Sequence, residues 1–458
     1  MTLSARPATD LTSDLRAGRL SAEALMAASL EVIAARNPEL NAIVALRDSD
    51  ALMAEARAAD AVPLGDRGAL HGLPMAVKDL ANARGLVSAQ GSPIFAGQVA
   101  QQDDLFVARL RAAGAILIGK TNTPEFGLGS HTFNPVYGAT RNAVDPTRSA
   151  GGSSGGSAVA LAAGMVALAD GSDMMGSLRN PAGWNEVYGL RPTWGWVPSE
   201  PAGDVFLHPL ATNGPMARSP EDIALLLDVM SGGDPRLPLN RGARAVSPLA
   251  EAKPMRLGWL GDWGGAYPME EGVMETCEAA LAAFEALGHR VDHLPPPFPA
   301  EKIWESWITL RSFAVAAGLR PLVDRRDQLK DTAIWELDRG LGFSGAEIQA
   351  ASDQRSNWMR AAARMFASYD AVLLPTAQCW PFPVDWDYPR EIAGVQMDTY
   401  HRWMEVVVPA SLLGLPGLAV PAGRGHNGLP MGLQIIGAHG RDGALLSLGQ
   451  SYHQSRLS

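Results

Sequence analysis

Cysteine is nearly absent: Cys277 and Cys379 are the only two in 458 residues, and they stand 102 positions apart. That excludes a disulfide framework and any C-x-x-C zinc or redox motif, and both read as small apolar core fillers of a reducing compartment. A cytoplasmic location is the matching expectation. Lysine is scarce as well, five among 38 basic residues, so a lysine on an apolar strand is not a routine surface choice. Positive charge is not in excess either: the formal net charge of −10 argues against a nucleic-acid surface. The first ten residues lack the charged-then-apolar pattern of a secretory signal. One apolar stretch, Val406 to Ala422, nears membrane length, but Pro409, Pro416 and Pro421 interrupt it, so no membrane partner is expected. Nine histidines are scattered without an H-E-x-x-H spacing. No metal and no cofactor are expected.

What the chain has is glycine and serine, concentrated between Ser149 and Pro192. The loop Gly151-Gly152-Ser153-Ser154-Gly155-Gly156 carries almost no side-chain bulk, so its backbone can approach a partner closely. A second serine loop, Gly171 to Ser177, follows the stretch Ala158 to Ala169, whose composition predicts a helix apolar on all sides and buried mid-domain. Two hydroxyls are thereby brought face to face. Upstream, Lys78 ends the apolar run Leu73–Val77, which is short enough for a buried strand. Burial there would disfavour the ammonium form and make the amine a base for a serine. An edge-of-strand lysine paired with Asp79 is equally open from the spacing alone.

These segments resemble the signature of the amidase signature family of serine hydrolases. The first serine loop leads to Ser177-Leu178-Arg179-Asn180-Pro181; His71 to Asp79 resembles the family's lysine strand and Gly119 to Phe126 its next block. Gly414-Leu415-Pro416 and Gly428 to Ile435 resemble its closing segment. Lys78 and Ser153 are 75 positions apart, Ser153 and Ser177 are 24 apart, and both intervals agree with the family arrangement. The resemblance implies an α/β fold: a single large α/β/α layered domain over 1–458, with a twisted mixed central sheet covered by helices. Within it fall N-terminal helices at 1–65, a signature core at 66–240, a variable, Trp-rich, substrate-shaping region at 241–403 and a closing segment at 404–458.

It also implies roles. Ser177 is the nucleophile and carries the acyl group; Ser153, following a cis peptide bond, bridges it to Lys78. The backbone N–H groups of Met174, Met175, Gly176 and Ser177 form the oxyanion hole, a device whose single donors are worth about 2.7–4 kcal/mol in a comparable hydrolase. Ser154, Ser172 and Asp173 support these groups, Arg179 pins the loop, and Leu128, Gly129 and Ser130 form the opposite wall of the substrate pocket. Met175 departs from the family pattern, which has glycine or alanine there. It is expected to line the cleft rather than to occupy a positive φ.

Two other motifs are weaker. Gly114 to Thr121 satisfies the phosphate-loop pattern G-x-x-x-x-G-K-[ST], but its intervening residues read as a buried strand. Gly151 to Gly155 satisfies the G-x-S-x-G elbow, with Asp370 and His401 as candidate partners, yet a loop rather than a hydrophobic strand precedes it. His131 reads as a polar wall residue. The segments Met255–Trp259, Val273–Leu287 and Arg290–Leu294 read as strand, helix and strand, which supports α/β layering.

The expected function is amide hydrolysis through a Ser-Ser-Lys relay and an acyl-enzyme on Ser177. Met174, Met175 and seven tryptophans between residues 300 and 403 point to apolar or aromatic small substrates. Anilides, aryl esters and carbamates (urethanes) fall in the same range. The partner is thus a small-molecule amide, ester or carbamate, and a homodimer is left open. The alternatives are the amidase component of a glutamine-dependent tRNA amidotransferase and a Ser-His-Asp esterase.

Overall fold

The computed structural model describes residues 2–457 apart from 208, 240, 241 and 243, so the division drawn between 240 and 241 lies outside the described residues. The chain opens with helices stopped and started by local chemistry. Ser21 accepts the Ala24 N–H to cap Ala22–Leu40, which ends at Asn41 in the left-handed region (φ 49°). Asp48 caps Ser49–Asp60 in the same way.

A small three-stranded sheet follows, ordered Ile43–Val44, Ile116–Thr121, Pro74–Lys78. Every residue of its two longer strands is buried, and they run parallel with Val77 opposite Lys120 and Lys78 opposite Thr121. This sheet carries both lysines toward the centre of the molecule.

The larger sheet has eight strands in the order 290–293, 256–259, 371–375, 430–437, 417–424, 188–191, 212–217, 168–173. Its first two pairings are parallel and the remaining five antiparallel, which makes it a mixed sheet. Helices Arg179–Trp184 and Val273–Ala286 pack on its central strands 417–424 and 430–437. On the second helix Val273, Cys277, Leu281 and Phe284 are buried, the face their spacing predicts. The fold is α/β, with helices layered on a mixed sheet.

One expectation is corrected. The stretch from Ala158 to Ala169 is not one helix: Gly155–Ala162 is helical and Leu168–Asp173 is the edge strand of the large sheet. An apolar run without period fits a buried helix and a buried strand equally well. Gly164, at φ +71°, turns the chain between them. Both halves are buried, and the second serine loop therefore hangs from a strand end rather than from a helix.

Candidate active site

Lys78 is 1% exposed. Its Nζ lies 2.8 Å from Ser153 Oγ, 2.9 Å from Ser154 Oγ and 3.0 Å from Ser172 Oγ. An ammonium has three donors and no acceptor, so three hydroxyl oxygens satisfy it; a neutral amine in the same place can accept one proton back. Burial pushes this lysine down to about 7, while the Asp170 and Asp173 carboxylates pull the other way. Asp170 accepts the Lys78 main-chain N–H at 3.0 Å, and burial pushes its own carboxyl up to about 6. The pairing with Asp79 does not form. That carboxylate accepts the N–H groups of Ala89 and Gly91, both at 3.1 Å, and faces Lys120 at 4.0 Å.

The first serine loop is clamped from the side of residues 128–132. Ser130 Oγ donates to Gly152 O at 2.7 Å and Thr132 Oγ1 to Gly151 O at 2.8 Å. At Gly156 an added Cβ would stand 2.3 Å from Asn122 N, so this glycine serves close packing. The Gly152–Ser153 peptide is cis. Ser154 N–H donates to Ser177 O at 3.3 Å and ties the two serine loops together. Ser153 and Ser177 line one cavity but are not hydrogen-bonded to each other, and Ser177 Oγ makes no hydrogen bond among the described residues. Lys78 is thus joined to Ser153, while Ser177 Oγ stands open to the cavity.

Asp173 organises the second loop. Its carboxylate accepts Gly176 N–H at 2.8 Å, Leu178 N–H at 3.2 Å and Arg179 Nε at 3.0 Å, with Arg191 Nη1 at 3.2 Å. Burial alone would raise this carboxyl; the Arg179 and Arg191 guanidiniums overcome that and hold it well below the usual carboxylate range. Arg179 also donates to Gln434 Oε1 and Ser411 Oγ, at 2.6 and 2.7 Å, and does not line the cavity. Of the four N–H groups expected to form an oxyanion hole, that of Gly176 is given to Asp173. The N–H groups of Met174, Met175 and Ser177 make no hydrogen bond among the described residues. Gly176 holds the positive φ (+79°), and a Cβ there would meet Val407 at 2.8 Å. Met175 is outside the positive-φ region and lines the cavity, as does Met174.

The cavity holds about 300 Å³ and is walled by Ser153, Ser172, Ser177, both methionines, Leu128, Gly129 and Ser130. Its far side comes from the helix Ala300–Leu319, through Arg311, Ala314, Val315, Gly318 and Leu319. None of the tryptophans between 300 and 403 reaches it, which corrects the expectation that they mark the substrate. Trp304, Trp307, Trp358, Trp380 and Trp403 are core residues, and Trp386 is half exposed. Arg311 escaped the sequence reading. Its signal was there: it is the only basic residue between Lys302 and Arg320, on the buried face of a largely apolar helix segment.

The histidine alternative is not assembled around Ser153. Burial pushes His131 down to about 4, and its ring nitrogens engage Ser149 Oγ at 2.8 Å and Val384 O at 3.0 Å. His401 is buried against Thr399, while Asp370 sits at the surface with Arg256 N–H and Arg441. Residues 116–121 form a buried strand, as their composition predicts, and not a phosphate cradle.

Nearly the whole chain is similar to known proteins. The model of the Amidase family matches residues 24–446. An acylamidase of Rhodococcus erythropolis is 33% identical over 98% of this chain and 95% of its own length. A glutamyl-tRNA(Gln) amidotransferase subunit from Ralstonia nicotianae is 33% identical over 97% of this chain and 96% of its own. The crystal structure of a bacterial aryl acylamidase superposes with a TM-score of 0.90 at 25% identity, covering 98% of this chain and 96% of that one. With the motifs and these likenesses in agreement, the chain belongs to the amidase signature family and is a hydrolase of carbon–nitrogen bonds other than peptide bonds.

Proposed function

We propose that this protein cleaves small amides with apolar or aromatic substituents through a Ser177 acyl-enzyme, with anilides, aryl esters and carbamates inside its range. The observation that carries the reading is the buried Lys78 amine held by three hydroxyls at 2.8–3.0 Å beside a cavity that Ser177 faces. Unprotonated Lys78 takes a proton from Ser153 as Ser153 takes one from Ser177, and the Ser177 oxygen attacks the carbonyl. The N–H groups of Met174, Met175 and Ser177 receive the developing oxyanion. Ser153 then delivers a proton to the departing amine, which leaves only when protonated. Water, deprotonated by the same relay, releases the acyl group from Ser177.

The acylamidase and aryl acylamidase likenesses support the substrate class, and the methionine wall supports an apolar one. A panel of p-nitroanilides, p-nitrophenyl esters, primary amides and aryl carbamates tests it. Turnover of primary polar amides alone would sink the apolar assignment. The second reading, a component of a tRNA amidotransferase, rests on the likeness to the Ralstonia protein. Copurification with a further chain, together with glutaminase activity, would favour it.

A further inference from the structure

Arg311 is the one charged side chain in the wall of this cavity among the described residues, and the relay has no use for it. It is 3% exposed, and two of its three nitrogens are engaged behind the wall. Nε donates to Glu336 Oε1 at 2.8 Å and Nη2 to the Tyr400 hydroxyl at 2.7 Å. Tyr400 donates in turn to Glu336 Oε1 at 2.7 Å, and Ser312 Oγ to Oε2 at 2.6 Å. These bonds lock the guanidinium plane. Nη1 is left with Met174 Sδ at 3.1 Å, a weak acceptor on a residue that also lines the cavity. A buried cationic donor that meets only a thioether is under-satisfied, and a ligand oxygen in that position would gain a charge-assisted bond.

The charge balance selects the kind of oxygen. Glu336 already neutralises Arg311, so the wall offers a directed N–H without free positive charge. A carboxylate would have to shed its water and face Glu336 behind the arginine. A neutral oxygen would not. The rest of the wall is largely apolar and includes Met174, Met175, Leu128 and Val315. We propose that Arg311 Nη1 is a specificity determinant that hydrogen-bonds a neutral ether, carbonyl or hydroxyl oxygen on the substrate, separated from the scissile carbonyl by an apolar spacer. The proposal rests on this cavity being the active site.

Two substrate series test it: a hexanoyl anilide and a benzoyl hexylamide, each compared with analogues in which one chain methylene, stepped outward, is replaced by oxygen. In one series an oxygen at one position should raise kcat/KM about tenfold over the all-carbon parent, the discrimination of one well-made hydrogen bond. Arg311→Met combined with Glu336→Gln, which keeps partners for Tyr400 and Ser312 without a stranded charge, should bring that ratio to about one. Arg311→Lys restores the buried charge but has no second nitrogen to present, so it should recover melting temperature and not the preference. A merely structural arginine would change both substrates of a pair alike. No oxygen preference in the wild type, or a preference that survives both variants, overturns the proposal. Turnover that survives Ser177→Ala instead overturns the active-site reading beneath it.

Discussion

Two lysines lie side by side in the small sheet, both buried and both lowered by burial, yet built for opposite ends. Lys120 faces the Asp79 carboxylate at 4.0 Å and donates to Ala81 O and Ser88 Oγ, so a carboxylate opposes the lowering that burial imposes on it. Lys78, in register one position further along its own strand, has hydroxyls where Lys120 has a carboxylate. Hydroxyls stabilise an ammonium less than an anion does, and they accept or donate as the amine requires. Burial lowers both lysines, so what sets them apart is the nearest partner, a carboxylate at Lys120 and hydroxyls at Lys78.

The largest way to break this contrast is to exchange the roles by mutation. Lys78→Met should lower amide kcat by about 10²–10⁴-fold, the usual worth of a positioned proton carrier, with the fold intact by circular dichroism. Lys120→Met should act on stability, because it strands Asp79 as an unpaired buried carboxylate, a loss of about 3–5 kcal/mol in denaturant unfolding. Per folded molecule its turnover should stay near wild type. Near-normal amide turnover in Lys78→Met, or an equal loss of kcat in both variants, would end the distinction.

A sharper version uses pH. Only unprotonated Lys78 can accept the proton, so amide kcat/KM should climb through about pH 7 and level off above it. The residual rate of Lys78→Met should show no such step. A wild-type profile flat from pH 6 to 9 would deny Lys78 the role of base.

Much of this site could be read before any coordinates, and the reasons are local. The two serine loops announce themselves through glycines that only close packing or a positive φ requires, and the lysine strand through an apolar run ending in a charge. What escaped reading depends on tertiary partners. Apolar composition cannot separate the helix Gly155–Ala162 from the strand Leu168–Asp173, and Gly164 was the only mark between them. Gly176 N–H is given to Asp173 because that aspartate lies three residues earlier, a spacing at which a carboxylate commonly binds nearby backbone, and that signal was legible. Tryptophan abundance said nothing of direction. Seven bulky rings went elsewhere, and one buried arginine reached the cavity.

A smaller effect concerns selectivity at Met175, a wall residue that takes no part in the relay except through its N–H. Met175→Gly empties part of the cavity without disturbing the Lys78 cradle. The kcat/KM ratio between bulky aryl and small acyl substrates should therefore move by about tenfold, the scale of a methylene or two in an apolar pocket. A variant unchanged for every substrate would remove the Met175 side chain from the substrate's path.

A further effect isolates Lys78 by thermodynamics. In the folded chain Lys78 loses its proton near 7, and in the unfolded chain near the usual 10.5. Between those values the unfolded state binds more protons, so this site adds stability as pH rises from about 7 to 10.5 and opposes folding below that window. Melting temperatures of wild type and Lys78→Met, followed together from pH 7 to 10, should show their difference shifting in favour of the wild type as pH rises. A difference independent of pH would mean that the Lys78 ammonium is as well stabilised in the fold as in water, and the serine cradle would then hold a cation rather than a base.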